Sequence, residues 1–153
     1  MPVVKAPVMT HPVALACQLA LLLWWSNNLW AKDPATMYRM ECQGCHLADG
    51  SGGLQNIPAL KNHVAKFLDV SGGREYLVQV PGAAQSSLSN AELTDVLNWI
   101  LQTFGPIESA RRNAPYSVDE IAVLRKHPLT EVADKRANLV LLMGQKEQKP
   151  LPR

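Results

Sequence analysis

Glu41-Cys42-Gln43-Gly44-Cys45-His46 is the stretch on which the reading of this chain turns. Two thiols three residues apart share one side of a helical turn, and the imidazole that follows can swing beneath whatever the thiols hold. Three chemistries use part of this pattern. A redox dithiol places its Cys-x-x-Cys after a strand in a βαβ unit. Here Asp33-Pro34-Ala35-Thr36-Met37-Tyr38-Arg39-Met40 comes first, with an aspartate to cap a helix and a proline to open it. A zinc site needs four ligands, and no second cysteine pair follows to complete the shell. A plain disulfide across so short a loop would be strained and would give His46 no role.

The whole pattern, Cys-x-x-Cys-His, is that of covalent c-type haem attachment. Its spacing lets the two thiols reach the two vinyl groups on one porphyrin edge, while the histidine gives its imidazole to the iron. Cys42, Cys45 and His46 are therefore the cofactor-binding candidates, His46 is the metal ligand, and one haem c is expected.

Upstream of the motif, Lys5 and His11 precede the apolar run 12–25, and Ser26-Asn27-Asn28-Leu29-Trp30-Ala31 follows. Residues 1–31 read as a signal peptide cleaved after Ala31, which places the protein in the periplasm. Leu29 fits the cleavage site poorly, so an uncleaved N-terminal anchor is the alternative and the only expected association with a membrane. Cys17 lies inside the apolar run and reads as a small filler rather than a lipidation site.

A length of 153 residues fits one domain. A formal net charge of +2 excludes a strongly basic nucleic-acid binder, and a 47% hydrophobic content excludes disorder. Aromatics make up only 6%, and Trp24, Trp25 and Trp30 fall in the leader. A small domain so short of large rings gains from extra buried apolar mass.

Downstream, Asp49-Gly50-Ser51-Gly52-Gly53 frees the chain to turn. Leu60, Val64, Phe67 and Leu68 share a face of a second helix over 61–68. A short third helix spans 74–80, with a strand as its alternative because Tyr76, Val78 and Val80 alternate, and the loop 81–88 follows. Ser89-Asn90-Ala91-Glu92 is a capping box. It opens a helix whose Leu93, Val96, Leu97, Ile100, Leu101 and Phe104 recur at spacings of three and four until Gly105-Pro106.

On these residues, from about 33 to 105, the chain resembles the class I monohaem cytochromes c. The resemblance implies an all-α fold, a small helical domain around a covalent haem. It implies His46 as proximal ligand, with the Pro58 carbonyl receiving its other ring N–H, and Met37 or Tyr38 meeting the last helix near Trp99. In that family a methionine from the loop before the last helix is the sixth iron ligand, yet the loop 81–88 holds none and residues 47–142 contain no methionine. The sixth position is then open, or taken by His63, Met143, Lys61, Tyr76 or a partner's residue. His63 reads as a half-exposed helical histidine, His127 as a helix-end residue and Met143 as a packing residue.

Residues 32–105 thus form the haem domain, and 106–153 a C-terminal helical extension. Ser117-Val118-Asp119-Glu120 is a second capping box. Thr130 caps a further helix running to Gly144, with Val132, Ala133, Arg136, Ala137, Val140 and Met143 as an apolar stripe that wraps the haem domain or docks a partner. The tail 145–153 is expected to be mobile. The function expected is single-electron transfer rather than catalysis, from a periplasmic dehydrogenase to a terminal oxidase or another cytochrome. A haem-based small-ligand binder or sensor with an open sixth site is the alternative. A peroxidase is disfavoured because no distal histidine with a nearby arginine is evident.

Overall fold

In a computed structural model, residues 32–53 and 57–148 are described. The leader 1–31 and residues 149–153 lie outside the described part, and with them the cleavage site, the alternative anchor and Cys17. Among the described residues no helix is long and apolar enough to cross a membrane.

The Asp33 carboxylate accepts the Thr36 backbone N–H at 3.0 Å and Pro34 opens α1, Pro34–Glu41. The haem motif forms a separate turn, α2, Gln43–His46. After the glycine loop the expected second helix is not formed as read. Asn62 adopts φ +63°, donating its N–H to the Phe104 carbonyl at 2.7 Å, so regular structure begins only at Val64. It is a 3₁₀ helix, Val64–Asp69, that buries Val64, Ala65 and Phe67. Then come α3, Gly73–Gln79, which rules out the strand, and α4, Pro81–Ala84, a short turn where a loop was expected.

The longest helix of the haem region, α5, Asn90–Phe104, is held by the full capping box. Ser89 Oγ accepts from the Glu92 N–H at 3.2 Å, and the Glu92 carboxylate from the Ser89 N–H at 2.9 Å. All six residues of its predicted stripe are buried. They form the main core with Met37 and Tyr38 of α1. Tyr38 meets Trp99 and Phe104, with ring centroids 5.3 and 5.2 Å apart.

The extension folds as α6, Ile107–Arg112, α7, Val118–Leu124, and α8, Val132–Gln148. Three readings change here. Ser117 caps α7, but the box is not reciprocal, because the Glu120 carboxylate is drawn to Arg74. Helix α8 runs through Gly144 to Gln148, since the glycine keeps a helical backbone and does not take the left-handed conformation of a C-cap. Its buried face also differs from the expected stripe. Leu139 is fully buried and Met143 half-buried, whereas Ala133, Ala137 and Val140 are exposed.

The extension packs into the core. Tyr116 and Ile121 join the main cluster, and Leu139 forms a second one with Phe67 and Tyr76. Arg74 donates to both carboxylate oxygens of Glu120 and to the Ala114 and Pro115 carbonyls, and stacks 4.1 Å from the centre of the Tyr116 ring.

Candidate functional site

Helix α1 delivers the motif to the wall of a cavity of about 370 Å³. Cys42, Cys45 and His46 line it, and most of the remaining surface is apolar, from Leu60, Val64 and Phe67 round to Leu93, Val96, Leu97 and Ile100. The three site residues expected from sequence are thus brought together. Both cysteines are free thiols, Cys42 half-buried and Cys45 exposed. Burial first, then the charges of Glu41 and Cys45, pushes the Cys42 thiol up to about 11. A reactive redox dithiol needs the opposite shift, toward the thiolate.

His46 Nδ1 lies 3.2 Å from the Pro58 carbonyl oxygen, which makes it the protonated nitrogen and leaves Nε2 with a lone pair and no partner among the described residues. Burial lowers the imidazole's pKa, opposed by the Pro58 carbonyl. The neutral ring is the form that binds a metal. Among the described residues no three His, Cys, Asp or Glu side chains gather into a metal cage. Two thiols and one oriented imidazole on an apolar cavity suit a flat, largely apolar, iron-bearing group.

Two cytochromes c-552 of Thermus thermophilus resemble the chain. One is 31% identical over 130 residues, spanning 73% of this chain and 87% of the relative. The other is 31% identical over 116 residues, spanning 64% of this chain and 88% of the relative. The chain belongs to the c-type cytochromes. No family model matches it. Membership makes this cytochrome an electron carrier built on covalently bound haem c, and its helical fold agrees.

The sixth-ligand candidates fare differently in this cytochrome. His63, expected half-exposed in a helix, is exposed in the turn before the 3₁₀ helix and takes no part in the cavity wall. Lys61 is also exposed, 3.8 Å from Asp49. Met143 packs beside Phe67, Tyr76 and Leu139 and borders a separate cavity of about 200 Å³ near Asp69 and Arg112. Only Tyr76 of that group lines the cavity that holds Cys42, Cys45 and His46. Val132 and Arg136, expected on the stripe of the extension that wraps the haem domain, line the cavity, although the sequence did not mark them as site residues. Their spacing of four, on one face of α8, was the available signal.

Proposed function

We propose that this cytochrome carries one haem, attached through Cys42 and Cys45, with His46 as proximal iron ligand. The observation that carries the reading is His46 Nδ1 tied to the Pro58 carbonyl beside two free thiols on an apolar cavity. The bound haem would supply one-electron chemistry at its iron. The chain holds the imidazole neutral and oriented, keeps water from one face with the α5 stripe, and leaves the Cys45 edge open to solvent, where an electron can leave.

Export after removal of residues 1–31 fits this reading, with residues 32–105 as haem domain and 106–153 as extension. Its partners are then redox proteins, a periplasmic dehydrogenase as donor and a terminal oxidase or another cytochrome as acceptor. No nucleic acid is involved, and the membrane only if the leader is retained.

Production in a host with c-type maturation tests the assignment. Haem should stay with the denatured protein in acidified organic solvent, at one per chain by pyridine haemochrome. Cys42→Ala with Cys45→Ala should release it. Complete extraction from the unaltered protein would overturn the proposal.

A further inference from the structure

The second cavity, of about 200 Å³, lies where the 3₁₀ helix meets the extension. Lys66 and Asp69 of the 3₁₀ helix, Ser109 and Arg112 of α6, and Met143 and Lys146 of α8 line it. Three cations thus face one carboxylate, and the local surplus of two positive charges is as large as the formal net charge of the whole chain, +2. A concavity lined by one sign of charge focuses the field and concentrates counter-ions.

The one carboxylate is already committed. Asp69 Oδ2 accepts from Ser109 Oγ at 2.7 Å and from Arg112 Nη2 at 2.9 Å, and Oδ1 accepts from Asn113 at 3.3 Å. Burial favours the neutral acid, but the Ser109, Asn113 and Arg112 donors outweigh it and hold the carboxyl below its ordinary value. The cations keep donors in reserve. Lys146 Nζ gives one hydrogen to the Asp69 backbone carbonyl at 2.6 Å, and its other two have no acceptor among the described residues. Arg112 engages only Nη2, so Nε and Nη1 are likewise without an acceptor there. Both side chains are exposed, and a solute reaches these donors from solvent.

We propose that this cavity binds a small dianionic oxyanion of the phosphate or sulfate class, held by Arg112 and Lys146 with Lys66 beside them. Two negative charges balance the surplus. Acceptor oxygens on several sides of one centre suit a guanidinium fork and an ammonium that arrive from different helices. Size limits the ligand further, because the cavity is smaller than the roughly 300–1,000 Å³ of ordinary small-molecule pockets. It has room for the anion and a few waters but not for a nucleotide. The bound anion joins α6 and α8 to the 3₁₀ helix, whose Phe67 lines the cavity at the motif, and so stabilises the extension against the haem region.

Calorimetric titration of the full-length holoprotein at about pH 8, where phosphate is mostly dianionic, tests this. Inorganic phosphate and sulfate should each bind at one per chain and raise the thermal midpoint, while sodium chloride at matched ionic strength does neither. Dimethyl phosphate, with the single charge of a phospholipid diester, should bind about tenfold more weakly or worse. Arg112→Gln and Lys146→Gln, both at exposed positions, should each weaken phosphate by about tenfold, and the Soret band should not move on phosphate addition because the site lies apart from the motif. Phosphate that binds no better than chloride overturns the proposal, and this comparison needs only the unaltered protein, whether or not a variant folds. Binding that survives both substitutions together, or a Soret shift that puts the anion at the iron, overturns it as well. Dimethyl phosphate binding as tightly as phosphate overturns the dianion assignment in favour of a lipid headgroup.

Discussion

Tyr38 shows how one side chain fixes the motif in place. Its ring packs in a triangle with Trp99 and Phe104 while its hydroxyl donates to the Leu47 carbonyl at 2.6 Å, one residue beyond His46. Burial, with the Cys42 and Asp49 charges adding to it, pushes the phenol up to about 12, so it stays a donor through the neutral range. Tyr38→Phe keeps the ring contacts and deletes one hydrogen bond, so a loss of about 1 kcal/mol is expected in denaturant unfolding. Gly73 is constrained by space. A Cβ there would lie 1.9 Å from the Phe67 carbonyl oxygen, which is backbone and cannot rotate away. Gly73→Ala should therefore cost more than Tyr38→Phe, about 2–3 kcal/mol in the same measurement. The family resemblance offered Met37 or Tyr38 for the contact near Trp99, and it is Tyr38 that makes the ring contact. The Gly73 contact could not be read from sequence, because it depends on where α3 crosses the 3₁₀ helix.

Among the elements, α5 was the most legible. Its cap and its stripe are local patterns written within sixteen residues, and tertiary packing agrees with them. The 3₁₀ helix was misread for the converse reason: its apolar spacing suits an α-helix, but the Asn62 N–H is committed to the far end of α5. The reciprocal half of the α7 capping box was lost in the same way, since Arg74 lies forty-six residues from Glu120 and outcompetes a local N–H. The cap of α5 also makes a pH prediction. The Ser89 backbone N–H first, then the Ser89 hydroxyl and Lys32, pulls the Glu92 carboxyl down to about 2 from an ordinary value of 4.5. A carboxyl depressed on folding stabilises above its unfolded pKa, and that stability is lost as pH falls through the folded one. Acid titration of the unfolding midpoint should show this contribution fading between about pH 4.5 and 2. Glu92→Gln should flatten the profile in that window and leave its slope near pH 7 unchanged.

At the scale of the molecule the question is whether the extension is an attachment or part of the fold. Tyr116, Ile121 and Leu139 are 3%, 0% and 1% exposed, and each sits in a cluster with residues that line the cavity at the motif. Burying side chains of this size stabilises by about 1.5–3 kcal/mol each, and a whole domain retains only about 5–15 kcal/mol. Polar clasps add to this: Arg74 with Glu120, Arg125 with the Ala84, Ser86 and Leu88 carbonyls, and Asp69 with Ser109, Arg112 and Asn113. None of these clasps could be read in sequence, because each joins residues more than thirty positions apart. A chain ending at Gly105 should therefore show no cooperative thermal transition and no stable haem spectrum. In the full-length holoprotein, melting followed by the Soret band and by far-ultraviolet circular dichroism should coincide, because pocket and extension unfold as one unit. A dichroism transition that runs ahead of the Soret change, with the haem spectrum intact at its end, would make the extension a separable cover.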